Sequence, residues 1–373
     1  MRALEIDVEG RTAWAETGLT AGDYTNAVGA HGLVTGFGDT GSVGIGGLTL
    51  GGGIGFLVRK HGLTIDNLLA ADVVTADGRL LRVDADNHAD LFWAIRGGGG
   101  NFGVATRFHF RLRELPSIVG GNLFLPATQD VIRVFLEAAE AAPEELSTIL
   151  NVMPAPPMPF LPEEHHGKLV AWGLMVYAGD VDAGDVDAGE RAVAPFRALA
   201  EPIVDLVKPM AYSEMFEPAE VDLQPIVATG RTNFMDTLEG NWAETIVEQV
   251  QASTAMMAVA HLRVLGGAMA RVPAEATAFA HRKRKFMTAV AAIHERPEES
   301  PEHQPWVDEL MTALGGGDVA PYVNFLGEEG EQRVRDAYTG STWDRLAAIK
   351  ARYDSDNLFR LNQNIPPAPG GQT

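Results

Sequence analysis

Apolar and polar residues alternate with period two at several places along the chain. The plainest case is residues 104–112. Val104, Thr106, Phe108, Phe110 and Leu112 fall on one side and Arg107, His109, Arg111 and Arg113 on the other, the pattern of a half-buried strand. Residues 3–8 and 12–16 predict a strand pair about the turn Glu9-Gly10-Arg11. Residues 68–75 and 80–83 predict a hairpin closed by Ala76-Asp77-Gly78-Arg79, because Asp-Gly between apolar runs favours a tight turn. Helices are predicted over 21–31, stopped by a left-handed Gly32, and over 91–96, capped by Asp90 and stopped by Gly97, Gly98, Gly99 and Gly100.

After Pro116 the pattern changes. Residues 169–177 and 256–269 read as strands, 129–141 and 241–252 as helices, and 153–162 as a Pro-rich surface loop. Together they predict an antiparallel sheet covered by helices on one side, in an α+β protein. A third segment comes next, with a short buried strand at Tyr322-Val323-Asn324-Phe325, a helix over 342–353 and a frayed tail from Pro369. The expected division is 1–116, 117–320 and 321–368. A tandem pentapeptide over 179–188 resembles an Asp-x-Asp calcium loop but lacks the position-six glycine and the closing glutamate, so it does not predict a metal site. His165-His166 reads as part of a solvated loop, and the run from His281 to Lys285 as a solvated helix face.

Composition narrows the chemistry. The net charge of −21 argues against nucleic acid or an anionic membrane as the main partner and leaves a small-molecule substrate. With no cysteine, disulfides, thiolate metal sites and cysteinyl cofactor bonds are excluded. No apolar run marks a signal peptide or a membrane span, so a cytoplasmic protein is expected. Glycine is the sharpest feature: 22 of 41 fall within the first 103 residues, densest over 35–55 and 97–103. Glycine is costly to order, so such density needs a backbone reason, and exposed N–H groups cradling a pyrophosphate supply one.

Three ordered motifs carry a family resemblance. Gly44-Ile45-Gly46-Gly47 with Gly51-Gly52-Gly53-Ile54-Gly55 resembles the second phosphate loop of the vanillyl-alcohol oxidase/p-cresol methylhydroxylase flavoproteins. The block from Asp90 to Val104 is similar to that family's most recognisable stretch. Tyr322-Val323-Asn324, Lys350-Ala351-Arg352-Tyr353-Asp354 and Asn357-Leu358-Phe359 resemble the C-terminal signature of the berberine-bridge-enzyme-like branch.

The resemblance implies bound FAD, a two-lobed fold with a C-terminal segment returning to the FAD domain, and hydride transfer from a small alcohol, sugar or secondary metabolite to flavin N5. It implies cofactor contacts at Gly44, Ile45, Gly46, Gly47, Gly51, Gly52, Gly53, Gly103 and Val104, with Asn67 holding the loop. Asn324 and Asn362 would neighbour flavin or substrate, and Tyr322 would be the catalytic base. Family members usually carry an earlier Arg-x-Gly-Gly-His loop whose histidine bonds the flavin, and residues 1–18 match the stretch immediately C-terminal to that loop. The resemblance therefore implies an N-terminally shortened FAD domain, noncovalent FAD, and as alternative a remnant that does not hold the cofactor. Thr40 stands near the position of the cysteinyl bond in bicovalent members. A bulky Ile45 implies poor oxygen access and tilts toward a dehydrogenase. Other readings stay open: Tyr322 as a core tyrosine, and Asn324, Asn362 and Asn364 as residues satisfying turns. A dinucleotide fingerprint at residues 97–103 is disfavoured, since a strand comes after it instead of a helix.

Overall fold

The fold was obtained as a computed structural model describing residues 1–179, 186–216, 227–315, 319–327 and 329–369. Most of the tandem pentapeptide and the tail beyond Pro369 lie outside the described residues.

Two antiparallel sheets organise the chain, as the α+β reading expects. The first runs in the order Leu4–Asp7, Thr12–Glu16, Val104–Arg111, Leu68–Val74, Leu80–Asp84. Its buried face meets the helices Ala21–Gly29, Ala89–Ala94 and Thr342–Tyr353 around Tyr24, Phe37, Phe108 and Phe110. Among the described residues the second has eight strands, of which the long ones are Ile118–Pro126, Leu169–Tyr177, Leu146–Pro154, Met257–Val264, Phe286–His294 and Val227–Met235, in that order. The helices Gln129–Ala141, Val186–Arg197, Trp242–Ala252 and Ser300–Gly315 cover one face of it. The other face is turned toward the first lobe.

Several local expectations fail for identifiable reasons. Between the pairs Asp72–Arg107 and Val73–Ala105 the register slips by a residue, so Thr106 is bulged out. Phe108, Phe110 and Leu112 are buried as predicted, but upstream of the bulge the phase inverts: Ala105 is buried and Val104 is 48% exposed. The strand expected over 256–269 ends at Val264, where Gly266 and Gly267 take positive φ. A Cβ on Gly267 would lie 2.2 Å from the Arg59 carbonyl oxygen, so the chain turns there against the first lobe. Tyr322-Val323-Asn324-Phe325 is no strand. Val323–Phe325 forms a 3₁₀ turn that exposes Asn324 and Phe325. Asp90 does not cap its helix; it accepts from Tyr353 Oη (3.0 Å) and Arg352 Nη1 (2.7 Å). Nor is the segment from His281 to Lys285 a solvated helix. Arg282 is fully buried, donating to Asp66 and Thr277 at 2.7 Å each.

Buried cations join the parts. Arg59, from the first lobe, donates to the carbonyls of Ala139, Ala142 and Leu146, and so caps the C-terminal end of Gln129–Ala141. Lys350 Nζ, fully buried, donates to Asp354 (2.5 Å), Asn101 O (2.7 Å) and Phe359 O (2.8 Å). Asp354 also accepts from the amides of Leu358 and Phe359. Burial alone would raise the Asp354 pKa, yet the ammonium and the two amides hold it below the usual carboxylate range.

Removing either half of a buried pair strands a charge. Lys350→Ala should therefore lower unfolding free energy by about 3–5 kcal/mol in urea denaturation. Because the folded-state Asp354 pKa is depressed, its stabilisation is present above a reference of about pH 4. In the wild type it should be lost as pH falls below that value, and K350A should lose that part of the acid dependence.

Candidate active site

The short helix Ile45–Leu50 carries the first glycine group. The Ile45 N–H donates to Leu19 O (2.9 Å) and its side chain is fully buried in the first core. Ile45 thus gives this surface only backbone. Gly44 and Gly47 are exposed, and a Cβ on Gly47 would touch nothing within 4 Å. Gly46 packs on Thr17, a Cβ there lying 3.0 Å from Thr17 O. Thr17 bonds Ala105 O and Thr106 O, which brings Val104 to the same edge. Gly103 faces inward, where a Cβ would sit 2.6 Å from Val74 O.

The second glycine group is packed. A Cβ on Gly51 would lie 1.8 Å from Asn324 Oδ1, and Gly52 and Gly53 hold φ of +132° and +78°. That bare backbone admits the C-terminal segment. Asn324 Nδ2 donates to Leu48 O and to Tyr322 Oη, each at 2.9 Å, and Gly53 N–H also donates to Tyr322 Oη at 2.9 Å. Leu50 O accepts from Gly97 N–H (2.9 Å) and Gly99 N–H (3.0 Å). Asn362 Nδ2 stands beside Gly100, 3.9 Å from where its Cβ would be. Asn67 lies beneath: its amide donates to His61 O and Leu63 O, bracing the turn whose Thr64 and Ile65 amides bond Gly53 O and Gly52 O.

Gly44, Gly46, Gly47, Val104, Asn324 and Asn362 therefore reach one face, while Gly51, Gly52, Gly53 and Tyr322 are buried beneath Asn324 and Ile45 contributes only backbone. The face is bordered by exposed apolar side chains, Val43, Val104, Phe325 (49%), Leu358 and Leu361 (95%). An exposed trough without side chains, rimmed by apolar groups, fits a long flat ligand with a polar linker, as FAD is.

Beside this face lies a cavity of about 1000 Å³. Its walls are the loop from Asp39 to Ser42, Phe325 and the uncovered face of the second sheet. Thr40 lines it; Tyr322 is nearly buried and packs edge-on against Phe325, ring centroids 5.3 Å apart. Burial pushes the Tyr322 phenol up to about 12, with the Gly53 and Asn324 donors opposing the rise.

The cavity's polar side chains Asn122, Asn151, Trp172 and His261, with Arg263 behind His261, were not singled out from sequence beyond the candidate lining stretch 256–269. Arg263 pairs with Asp39 and donates to Ile54 O (2.9 Å). It also lies 3.3 Å from His261 Nε2, and His261 Nδ1 meets Asn151 Oδ1 at 2.9 Å. Burial, with Arg263 adding to it, lowers the His261 pKa to about 3, so the ring is neutral near pH 7. Trp172 Nε1 donates to Asn122 Oδ1 (2.9 Å). The signal was polar residues inside apolar strands: Asn151 within Leu146–Pro154, and His261 and Arg263 within Met257–Val264.

The family of FAD binding domains matches residues 1–84, and the berberine and berberine-like family matches residues 321–366. Curated FAD-linked oxidoreductases and berberine-bridge-enzyme-like proteins resemble this chain along almost its whole length. The FAD-linked oxidoreductase YvdP of Bacillus subtilis is 28% identical, covering 99% of this chain and 81% of its own length. (R)-6-hydroxynicotine oxidase of Paenarthrobacter nicotinovorans is 28% identical, over 98% and 80%. Among solved structures, 6-hydroxy-D-nicotine oxidase of Arthrobacter nicotinovorans superposes with a TM-score of 0.80 at 26% identity, over 98% of this chain and 81% of that one. The fold is shared with xylooligosaccharide oxidase of Myceliophthora thermophila (TM-score 0.82, 24% identity, 99% and 80% coverage). Among the described residues no helix is long and apolar enough to cross a membrane, and no cluster of His, Asp or Glu is arranged to hold a metal.

Two glycines of this family motif should behave oppositely on substitution. A Cβ on Gly55 would lie 1.3 Å from the Phe37 carbonyl oxygen, so Gly55→Ala should cost about 4 kcal/mol or more and fail to give soluble folded protein. Gly47→Ala meets open space in a helix and should raise apoprotein stability by up to about 1 kcal/mol, read by thermal unfolding, while weakening FAD retention.

Proposed function

We propose that this chain binds FAD noncovalently and oxidises a small alcohol, sugar or secondary metabolite held in the cavity beside the glycine face. What carries the reading is the convergence of Gly44, Gly46, Gly47, Asn324 and Asn362 on one surface, with Gly51–Gly53 packed under Asn324, next to the cavity. When bound, FAD supplies the acceptor for a hydride from the substrate carbon.

The protein residues have separate tasks in this reading. Gly44, Gly46 and Gly47 leave room for the cofactor's phosphates, and Val104 and Asn362 flank it. Gly51, Gly52 and Gly53 let Asn324 and Tyr322 close on the loop, with Asn67 bracing the turn behind and Gly103 fixing the strand that carries Val104. Tyr322 is the base. Its oxygen already accepts from Gly53 N–H and Asn324 Nδ2, which would stabilise the phenolate that takes the substrate hydroxyl proton and becomes the neutral phenol. Phe325 and the sheet floor exclude water from the substrate. The domain limits 1–116, 117–320 and 321–368 are retained as the functional division.

The test is anaerobic mixing of the FAD-loaded protein with primary alcohols, aldoses and cyclic amines. Loss of visible flavin absorbance with at least one class supports the reading; a protein that takes up no FAD, or flavin that stays oxidised throughout, contradicts it. The Tyr322 pKa near 12 sets the pH dependence. The base acts deprotonated, so the reduction rate should climb about tenfold per pH unit from pH 7 toward 10. Tyr322→Phe should flatten that climb and slow reduction by about 10²–10⁴-fold.

A further inference from the structure

Resting on the reading that the cavity is the substrate site, we propose that Asn122 and Asn151 set its specificity. They present two fixed N–H donors on either side of the Trp172 indole, and so select an oxygen-rich ligand about two rings long over a cation. Both asparagines and Trp172 line the cavity. Each amide is oriented from behind. Trp172 Nε1–H is only a donor, so the atom of Asn122 facing it is Oδ1. Arg263 is likewise only a donor, so the His261 Nε2 it faces accepts, the proton sits on Nδ1, and Asn151 meets it with Oδ1. In both residues the carbonyl is occupied and the NH₂ group is the end left for a ligand.

The sheet fixes their separation. Asn122 pairs with Leu174, and Trp172 pairs with Asn151, so the asparagines lie two strands and two residues apart. At strand spacings of about 4.8 Å and a rise of about 3.3 Å per residue, their Cα atoms are roughly 12 Å apart. Trp172 has one ring face stacked on Phe124 (5.2 Å, 14°) and stands between them. The carboxylates on the cavity wall are already engaged. Asp39 is paired with Arg263, and Asp205 with Arg197 at 2.5 Å. Glu214 accepts from Ala211 N–H, and Lys208 adds a positive charge to the wall. Lys208 offsets the charge Glu214 keeps, and among the described residues no carboxylate on the sheet floor compensates a ligand cation, whereas two donors await acceptor oxygens.

The probes are cellobiose, a neutral two-ring polyol, and spermidine, an extended cation. Their dissociation constants are measured by ligand-observed NMR on the FAD-loaded protein and on Asn122→Asp and Asn151→Asp. Each substitution keeps the oxygen that Trp172 or His261 needs and replaces only the NH₂ group, and thermal unfolding checks that the variants stay folded. Wild type should prefer cellobiose. Each Asp variant should weaken cellobiose binding about tenfold or more and strengthen spermidine binding. Unchanged cellobiose affinity in both variants, or a wild type that prefers spermidine or binds neither probe, overturns the inference. If wild type still passes the flavin-reduction test, only the specificity claim has failed. If the asparagines control binding but no substrate reduces the flavin, the oxidoreductase reading has failed instead.

Discussion

One buried ammonium decides where the last part of this chain goes. Lys350 gives its three protons to the Asp354 carboxylate at the end of its own helix and to the backbone carbonyls of Asn101 and Phe359 in two other segments. Asn101 extends the arrangement, donating to Gly98 O and Gln363 O and accepting from Ile365 N–H. Gln363 in turn donates to Leu326 O at 2.6 Å, just past the turn that carries Tyr322 and Asn324. A charge in the interior is costly unless every donor finds an acceptor, so these segments are fixed together or not at all. The glycine face is a consequence of that fastening.

The relation between the lobes rests on the same kind of contact. Arg59 reaches from the first lobe to the end of a helix in the second. Arg282 and Arg263 reach the other way, to Asp66 and Asp39. In a chain of net charge −21 these few arginines are placed in the interior, where the glycine loop and the sheet must keep their distance.

Much of this was legible in the sequence. Period-two patterning and Asp-Gly located the hairpin and the first sheet, and glycine density located the exposed glycine face, because both signals arise from local backbone constraints. What was not legible depended on partners far along the chain. Nothing near Thr106 announces a bulge, since the slip exists only against Asp72. Tyr322-Val323-Asn324-Phe325 looks like a strand until Asn324 is drawn to Leu48 and Tyr322 to Gly53. The run from His281 looked solvated because the carboxylate that buries Arg282 lies more than two hundred residues earlier. His261, Arg263 and Asn151 carried a weak signal, polar residues in apolar strands, whose meaning required knowing that the strands' faces meet.

The most direct measurement is amide hydrogen exchange of the full chain with and without saturating FAD. If the glycine face is the cofactor seat, residues 43–53, 97–104 and 357–364 should all gain protection together, while the helices covering the second sheet stay unchanged. Protection confined to other segments, or none at all under saturating FAD, would contradict the account.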